Sequence, residues 1–352
     1  MGLFNKVFRK ENKKENISKP NGDPLIQAPK IEEIKFTLKL VTSFADSEFD
    51  SYGFSISHDG SFLAFPKTEK IIIYNLKDEK RHELAHGYYV AMMVRPFSFN
   101  GKELLVSLGA REYTIWDIAT REILNKGQLS RNAIGIVRDF YSMDLSQTGD
   151  NLAIGFCPEV VKINVKNSDC TKLGTHDHSV IQSSMFGGAR VKFIKFSPDG
   201  KKLYSAGDDA NVFVWEMSED NNTWSRNLLG VHNHAILSGD LSPDGSMLAT
   251  SNAFEEKAIK IWDVLERKML KEIKEEGAYD LAFTNTGHLL SYDTVKAEGD
   301  VIKVWRTDNW SLETTLKLEK KFSDKRFSSN GKYLVGSLFP SDGEGFEVWN
   351  LY

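Results

Sequence analysis

The chain holds only two cysteines in 352 residues, Cys157 and Cys170, and nine prolines. No CxxC and no second pair of thiols is present, which excludes a thiol–disulfide motif, a thiolate zinc site and a disulfide-framed scaffold. Two isolated thiols in so long a chain predict a reducing, cytoplasmic compartment, with a single bridge in a periplasm or outside the cell as the alternative. A continuous apolar run is also missing, so neither a signal peptide nor a membrane-spanning helix is expected. Net charge is only −4, too little for the whole-molecule field of a nucleic-acid binder. No GxSxG elbow, HExxH, Walker loop or haem-attachment motif occurs, so the sequence implies no cofactor and no enzyme of those classes.

What the chain does have is a beat. Turn glycines fall at Gly60, Gly101, Gly149, Gly200, Gly245, Gly287 and Gly331, with steps of 41, 48, 51, 45, 42 and 44 residues. That period suits four short strands per unit and is too long for a helical hairpin. Strand alternation runs through Val212, Val214 and Met217 and through Ile259, Ile261 and Val264. Third strands are predicted to close on Tyr74-Asn75, Trp116-Asp117, Ile163-Asn164, Trp215-Glu216, Trp262-Asp263, Trp305-Arg306 and Trp349-Asn350. Turns such as Ser197-Pro198-Asp199-Gly200 combine a preset φ with a residue that accepts positive φ.

On these motifs the sequence closely resembles the WD-repeat β-propeller family, over roughly residues 36 to 352. The resemblance implies an all-β, seven-bladed ring of four-stranded antiparallel sheets acting as a binding platform. The expected division is a tail and linker over 1–33 and a single propeller over 34–352. The last unit ends soon after Trp349, so the strand-like stretch Phe36–Val41 is expected to complete the seventh sheet and close the ring. The family's hydrogen-bonded tetrad joins an Asp, a Ser or Thr, a His and the strand-end Trp. Six residues before each Trp stand Asp209, Ala110, Glu256, Gly299 and Gly343, so one complete set is expected: Asp209, Ser205, Trp215 and either His176 or His178, with His178 preferred. The other blades are expected to hold by packing.

Three groups are candidates for function. The turns between second and third strands carry Asp208 and Asp209, Glu255 and Glu256, Glu298 and Asp300, then Asp342 and Glu344. This acidic arc on blades four to seven would steer a protein partner with a basic surface, although solvated turns are rich in acids for ordinary reasons. The tail places Leu3, Phe4, Val7 and Phe8 beside Lys6, Arg9 and Lys10. That pattern reads as a frayed solvated end, as a short helix on anionic lipid, or as a docking peptide. His176, His178, His232 and His234 could offer nitrogen ligands to a metal, but relics of the family's Gly-His dipeptide are the expected explanation. Trp224 and Trp310 are expected to pack against the next blade. The resulting reading is a non-enzymatic scaffold, expected to be monomeric, with a metal-dependent propeller hydrolase or lactonase working in the central channel as the alternative.

Overall fold

The alternating segments form strands throughout. The computed structural model describes residues 34–45, 53–67, 69–85, 91–109, 112–130, 140–176, 189–218, 223–252, 257–274, 276–295, 299–338 and 345–352. Among them all regular structure is β, in seven four-stranded antiparallel sheets and no helix. Blade four is typical, with strands Val191–Phe196, Lys202–Gly207, Asn211–Met217 and Trp224–Val231. The seven beat glycines all take positive φ, from 67° to 82°, between the first and second strands of their blades. In blade four the turn is fastened by side chains: the Asp199 carboxylate accepts the Ser197 hydroxyl and the Lys201 N–H, and Ser197 Oγ accepts the Lys202 N–H. Six third strands end on the aromatic–polar or Ile-Asn pair read from the sequence, and Asn211–Met217 runs one residue beyond it.

The core is divided among the joints of the ring. Each of seven buried clusters is shared by two consecutive blades. The strand-end residue always joins the cluster with the preceding blade: Trp215 packs with Ala153 and Val160 of blade three, and Trp262 with Val212 and Val214 of blade four. Blade seven and blade one are joined in the same way, through Val335, Phe346 and Val348 against Phe54, Ile56 and Phe65. A sheet folded on this plan buries both faces of every blade and leaves no blade stable alone.

Ring closure follows the expected scheme with a shifted start. The strand Lys39–Ala45 pairs antiparallel with Gly345–Asn350 as the outermost strand of blade seven. It begins three residues later than Phe36 because Phe36 turns inward. Its ring is 7% exposed and meets His288 edge-on at 4.9 Å and Tyr352 at 5.3 Å, while the Thr37 N–H donates to the Leu351 carbonyl at 2.8 Å. Trp224 and Trp310 pack in the clusters shared with blades three and five, the preceding neighbours rather than the next. The tail 1–33 and its candidate residues lie outside the described residues.

Candidate functional site

Blade four contains a buried chain of four polar side chains. Asp209 sits in the turn between second and third strands, Ser205 on the second strand, Trp215 on the third, and His176 follows the outer strand Cys170–Thr175 of blade three. His176 Nδ1 lies 2.8 Å from Asp209 Oδ1, His176 Nε2 lies 2.8 Å from Ser205 Oγ, and the Trp215 indole N–H donates to Ser205 Oγ at 2.8 Å. One assignment satisfies every atom: Trp215 donates to Ser205, Ser205 to His176, and His176 to Asp209. Burial pushes the Asp209 carboxyl up, but hydrogen bonds from His176 and Asn211 outweigh it and hold the group below its ordinary range. The histidine of the set is therefore His176 rather than the preferred His178, which lies outside the described residues.

This chain has the connectivity of a Ser-His-Asp triad, and its environment rules out that use. Ser205 and Trp215 are 0% exposed, His176 1% and Asp209 6%. A nucleophile must reach substrate and leave a lone pair free to attack. Here the Ser205 oxygen already accepts the Trp215 N–H inside the joint between two blades.

In three of the other blades a hydrogen bond from the strand-end tryptophan joins the expected packing. Trp116 donates to Ser107 at 3.1 Å, Trp262 to Thr250 at 2.8 Å and Trp305 to Ser291 at 2.9 Å. Blade five adds His232, whose Nε2 meets Thr250 Oγ1 at 2.8 Å. His232 thus occupies a tetrad place, and its buried Nδ1 has no hydrogen-bond partner. Burial, helped by the nearby Lys260 ammonium, pulls the His232 pKa down to about 3. The imidazole is neutral when folded, whereas unfolding restores a value near 6.5. Stability from this group is complete above pH 6.5 and is lost as pH falls toward 3, by about 2 kcal/mol at pH 5. Asp240, whose carboxyl burial pushes up to about 6, acts in the opposite direction over an overlapping range. His232→Gln isolates the histidine: its stability should fall less than wild type between pH 7 and pH 5 in urea titrations, and equal losses would refute the assignment.

Among the described residues no group of three or more His, Cys, Asp or Glu has a metal-binding arrangement. The rim acids divide. Asp208 is 0% exposed and pairs with the Arg190 guanidinium, and Asp300 is 2% exposed, 2.9 Å from Lys325 Nζ and 2.8 Å from Thr294 Oγ1. With Asp209 they are structural ions facing internal partners, which corrects their reading as exposed rim charge. Glu255, Glu256, Glu298, Asp342 and Glu344 lie outside the described residues.

A second polar site lines the central channel. The strand-end Tyr, Trp or Ile of each blade pairs with a leucine, which pairs with a first-strand residue: Ile56, Pro96, Leu145, Phe196, Leu241, Phe283 or Phe327. The residues just before these share one level: Ser55, Arg95, Asp144, Lys195, Asp240, Ala282 and Arg326. Their fields cross the ring, since Arg95 of blade two feels Arg326 and Asp324 of blade seven, and Lys195 of blade four feels His58 of blade one. Three carboxylates here clip blades together: Asp144 accepts the Phe196 N–H at 2.7 Å, Asp240 that of Phe283 at 2.8 Å, and Asp280 that of Phe327 at 2.9 Å. Burial pushes the Asp240 carboxyl up to about 6 against the pull of Lys195, 3.6 Å away. Sequence reasoning missed this layer, yet a signal existed. Counting five back from the turn glycine gives Asp144, Lys195, Asp240 and Arg326 directly.

Closed ring, inter-blade cores and turn glycines define the chain as a seven-bladed β-propeller. The family model described as WD domain, G-beta repeat matches residues 176–216, from His176 through the third strand of blade four, and 225–263, from the outer strand of blade four through the third strand of blade five. Two of the seven blades thus match the WD repeat, and proteins built of such repeats typically serve as protein-interaction scaffolds. Over 145 residues it is 26% identical to Protein groucho of Drosophila melanogaster, covering 41% of this chain and 19% of that protein's length. A chain in the crystal structure of a mitotic checkpoint complex has the same fold, with a TM-score of 0.65 and 16% identity over 93% of this chain and 100% of its own.

Proposed function

We propose that the chain is a non-enzymatic protein-binding scaffold whose partner surface is the acidic rim of blades four to seven. The observation that carries this reading is the sealing of Ser205, His176 and Asp209 beneath Trp215. The described residues spend their triad-like chemistry on holding two blades together, so the ring offers a surface to the outside. With Asp208 and Asp300 paired to cations and Asp209 buried among its hydrogen bonds, the rim reading rests on Glu255, Glu256, Glu298, Asp342 and Glu344. Such charge favours a basic protein surface and gives capture that weakens with salt. In a cytoplasmic setting the basic tail, with Lys6, Arg9 and Lys10 beside Leu3, Phe4, Val7 and Phe8, adds a peripheral contact to anionic lipid or to the same partner.

The test is affinity capture with the full chain as bait, against a variant in which those five acids are replaced by Lys. A specific co-purifying protein, released by salt and lost in the variant, is the expected result. Equal capture by both baits would remove the rim from the reading, and loss of capture only on deleting 1–33 would move the contact to the tail.

A further inference from the structure

The joint between blades one and two is open at its outer edge. In the other six blades the outermost strand meets its neighbour with a register shift, whereas Lys80–Ala85 of blade one pairs with Lys70–Asn75 residue for residue. A bulge bends its strand and tightens the local twist. The blade-one strand has none, and two hollows of about 570 and 360 Å³ lie between blade one and blade two along it. They share His82 and Arg121 and so form one groove. Each falls within the size range of ligand pockets, roughly 300–1,000 Å³.

Strand alternation sets the lining. Lys80, His82 and Leu84 fall on one face of their strand, and Leu84 packs in the cluster shared with blade two, so all three face that blade. Trp116 and Leu84, 4% and 3% exposed, make the floor, while Ile123 at 51% leaves an apolar wall open to solvent. The charges on the walls are unevenly matched. Glu83 lies 2.9 Å from Lys70 Nζ and 2.7 Å from the Arg81 guanidinium, and Asp78 lies 3.5 Å from Lys80 Nζ. The Arg121 guanidinium lies 2.7 Å from His82 Nδ1 and meets no carboxylate among the described residues. Its turn is fastened, since the Arg121 N–H donates to the Asp117 carbonyl at 2.7 Å and the Asp117 carboxylate accepts the Ala119 and Thr120 N–H groups. A cation without an acid is thus held on a fixed turn beside an apolar floor.

We propose that this groove takes an extended segment of a partner protein that carries a large apolar side chain next to an acidic one. The apolar side chain lies over Trp116 and Leu84 against Ile123, and the carboxylate takes paired N–H groups from Arg121. The chain's own tail is a poor match, because Lys6, Arg9 and Lys10 stand beside its apolar residues. This surface is separate from the acidic rim and selects the opposite charge, so either reading can fail without the other.

The test is an array of short synthetic peptides with a fixed Leu-Phe pair and every residue type at each flanking position, probed with the labelled full chain. Peptides with Asp or Glu beside the pair should be selected, and the tightest of them should bind at one site by fluorescence anisotropy. Arg121→Glu should weaken that peptide about tenfold or more and turn the selection toward Lys and Arg. Ile123→Ser should weaken it about tenfold through lost apolar contact. Both side chains are exposed, so both variants should melt within a few degrees of wild type. Met269→Ser, at a side chain 47% exposed on the outer strand of blade five, should bind as wild type does. No selection by the full chain, selection without an acidic preference, or undiminished binding in Arg121→Glu and Ile123→Ser would each overturn the proposal. Displacement of the selected peptide by a synthetic peptide of residues 1–20 would overturn it in favour of the chain's own tail.

Discussion

Deleting residues 34–45 is expected to unfold the whole ring rather than to fray one blade. The lost strand Lys39–Ala45 pairs with Gly345–Asn350 at six positions, from Lys39 with Asn350 to Ala45 with Gly345. Phe36 would leave the cluster it shares with Leu290, Ile302, Phe322 and Trp349. Burial of one such ring contributes about 2–3 kcal/mol and each ladder hydrogen bond about 1 kcal/mol. The sum is on the order of 5–10 kcal/mol, comparable with the entire stability of a typical domain. Because blade seven takes part in the cores on both of its sides, its loss opens the joints to blades six and one together. Thermal melting followed by circular dichroism should show no cooperative transition for the deletion. Phe36→Ala should stay folded and lose about 3–5 kcal/mol. A synthetic peptide of residues 34–45 added to the deleted chain should restore a transition. A deletion that melts within a few degrees of wild type would show that the ring closes without this strand.

The beat was legible because it is written in residues with one physical use. A glycine at positive φ between two alternating runs has few readings, and all seven glycines take that conformation. Strand-end tryptophans were legible for a similar reason, since a large ring with one N–H must find both a cavity and an acceptor. The preference between His176 and His178 was not, because both sit near the end of an outer strand and only the register Val160 with Gly174 settles how far that strand runs. Gly174 and Gly230 show a signal that was available. A Cβ on Gly230 would lie 2.1 Å from the Trp262 ring, and one on Gly174 would lie 2.8 Å from that of Trp215. Each glycine thus marks the strand over which the next blade's tryptophan lies, and the histidine two residues later, His176 or His232, reaches the hydroxyl. The acidic rim misled for the converse reason. Acids in turns are common, and the sequence does not say that Arg190 and Lys325 come from elsewhere to neutralise Asp208 and Asp300.

Breaking the blade-four array should be the most damaging single substitution in that joint. Asp209→Ala leaves the His176 Nδ1 proton buried without an acceptor and removes the acceptor of the Asn211 side chain, 2.9 Å away. Stranding one partner of a buried, hydrogen-bonded pair costs about 3–5 kcal/mol. Trp215→Phe tests the other end, because it keeps most of the ring volume but deletes the N–H that caps Ser205. Its cost is expected at about 1–3 kcal/mol, from one lost hydrogen bond and a small void. Asp78→Ala, on an exposed pair with Lys80 at 3.5 Å, should change stability by less than about 1 kcal/mol. Urea midpoints would rank the three variants. The same set separates structure from catalysis, since a sealed Ser205 should resist a fluorophosphonate probe in the wild type and in every variant that stays folded. Labelling of Ser205 in the native wild type would mean that the joint opens and that the array can act as a nucleophile. Equal urea midpoints for Asp209→Ala and Asp78→Ala would mean that blade four is held by its apolar joint alone, through Trp215, Phe213, Leu203 and Val160.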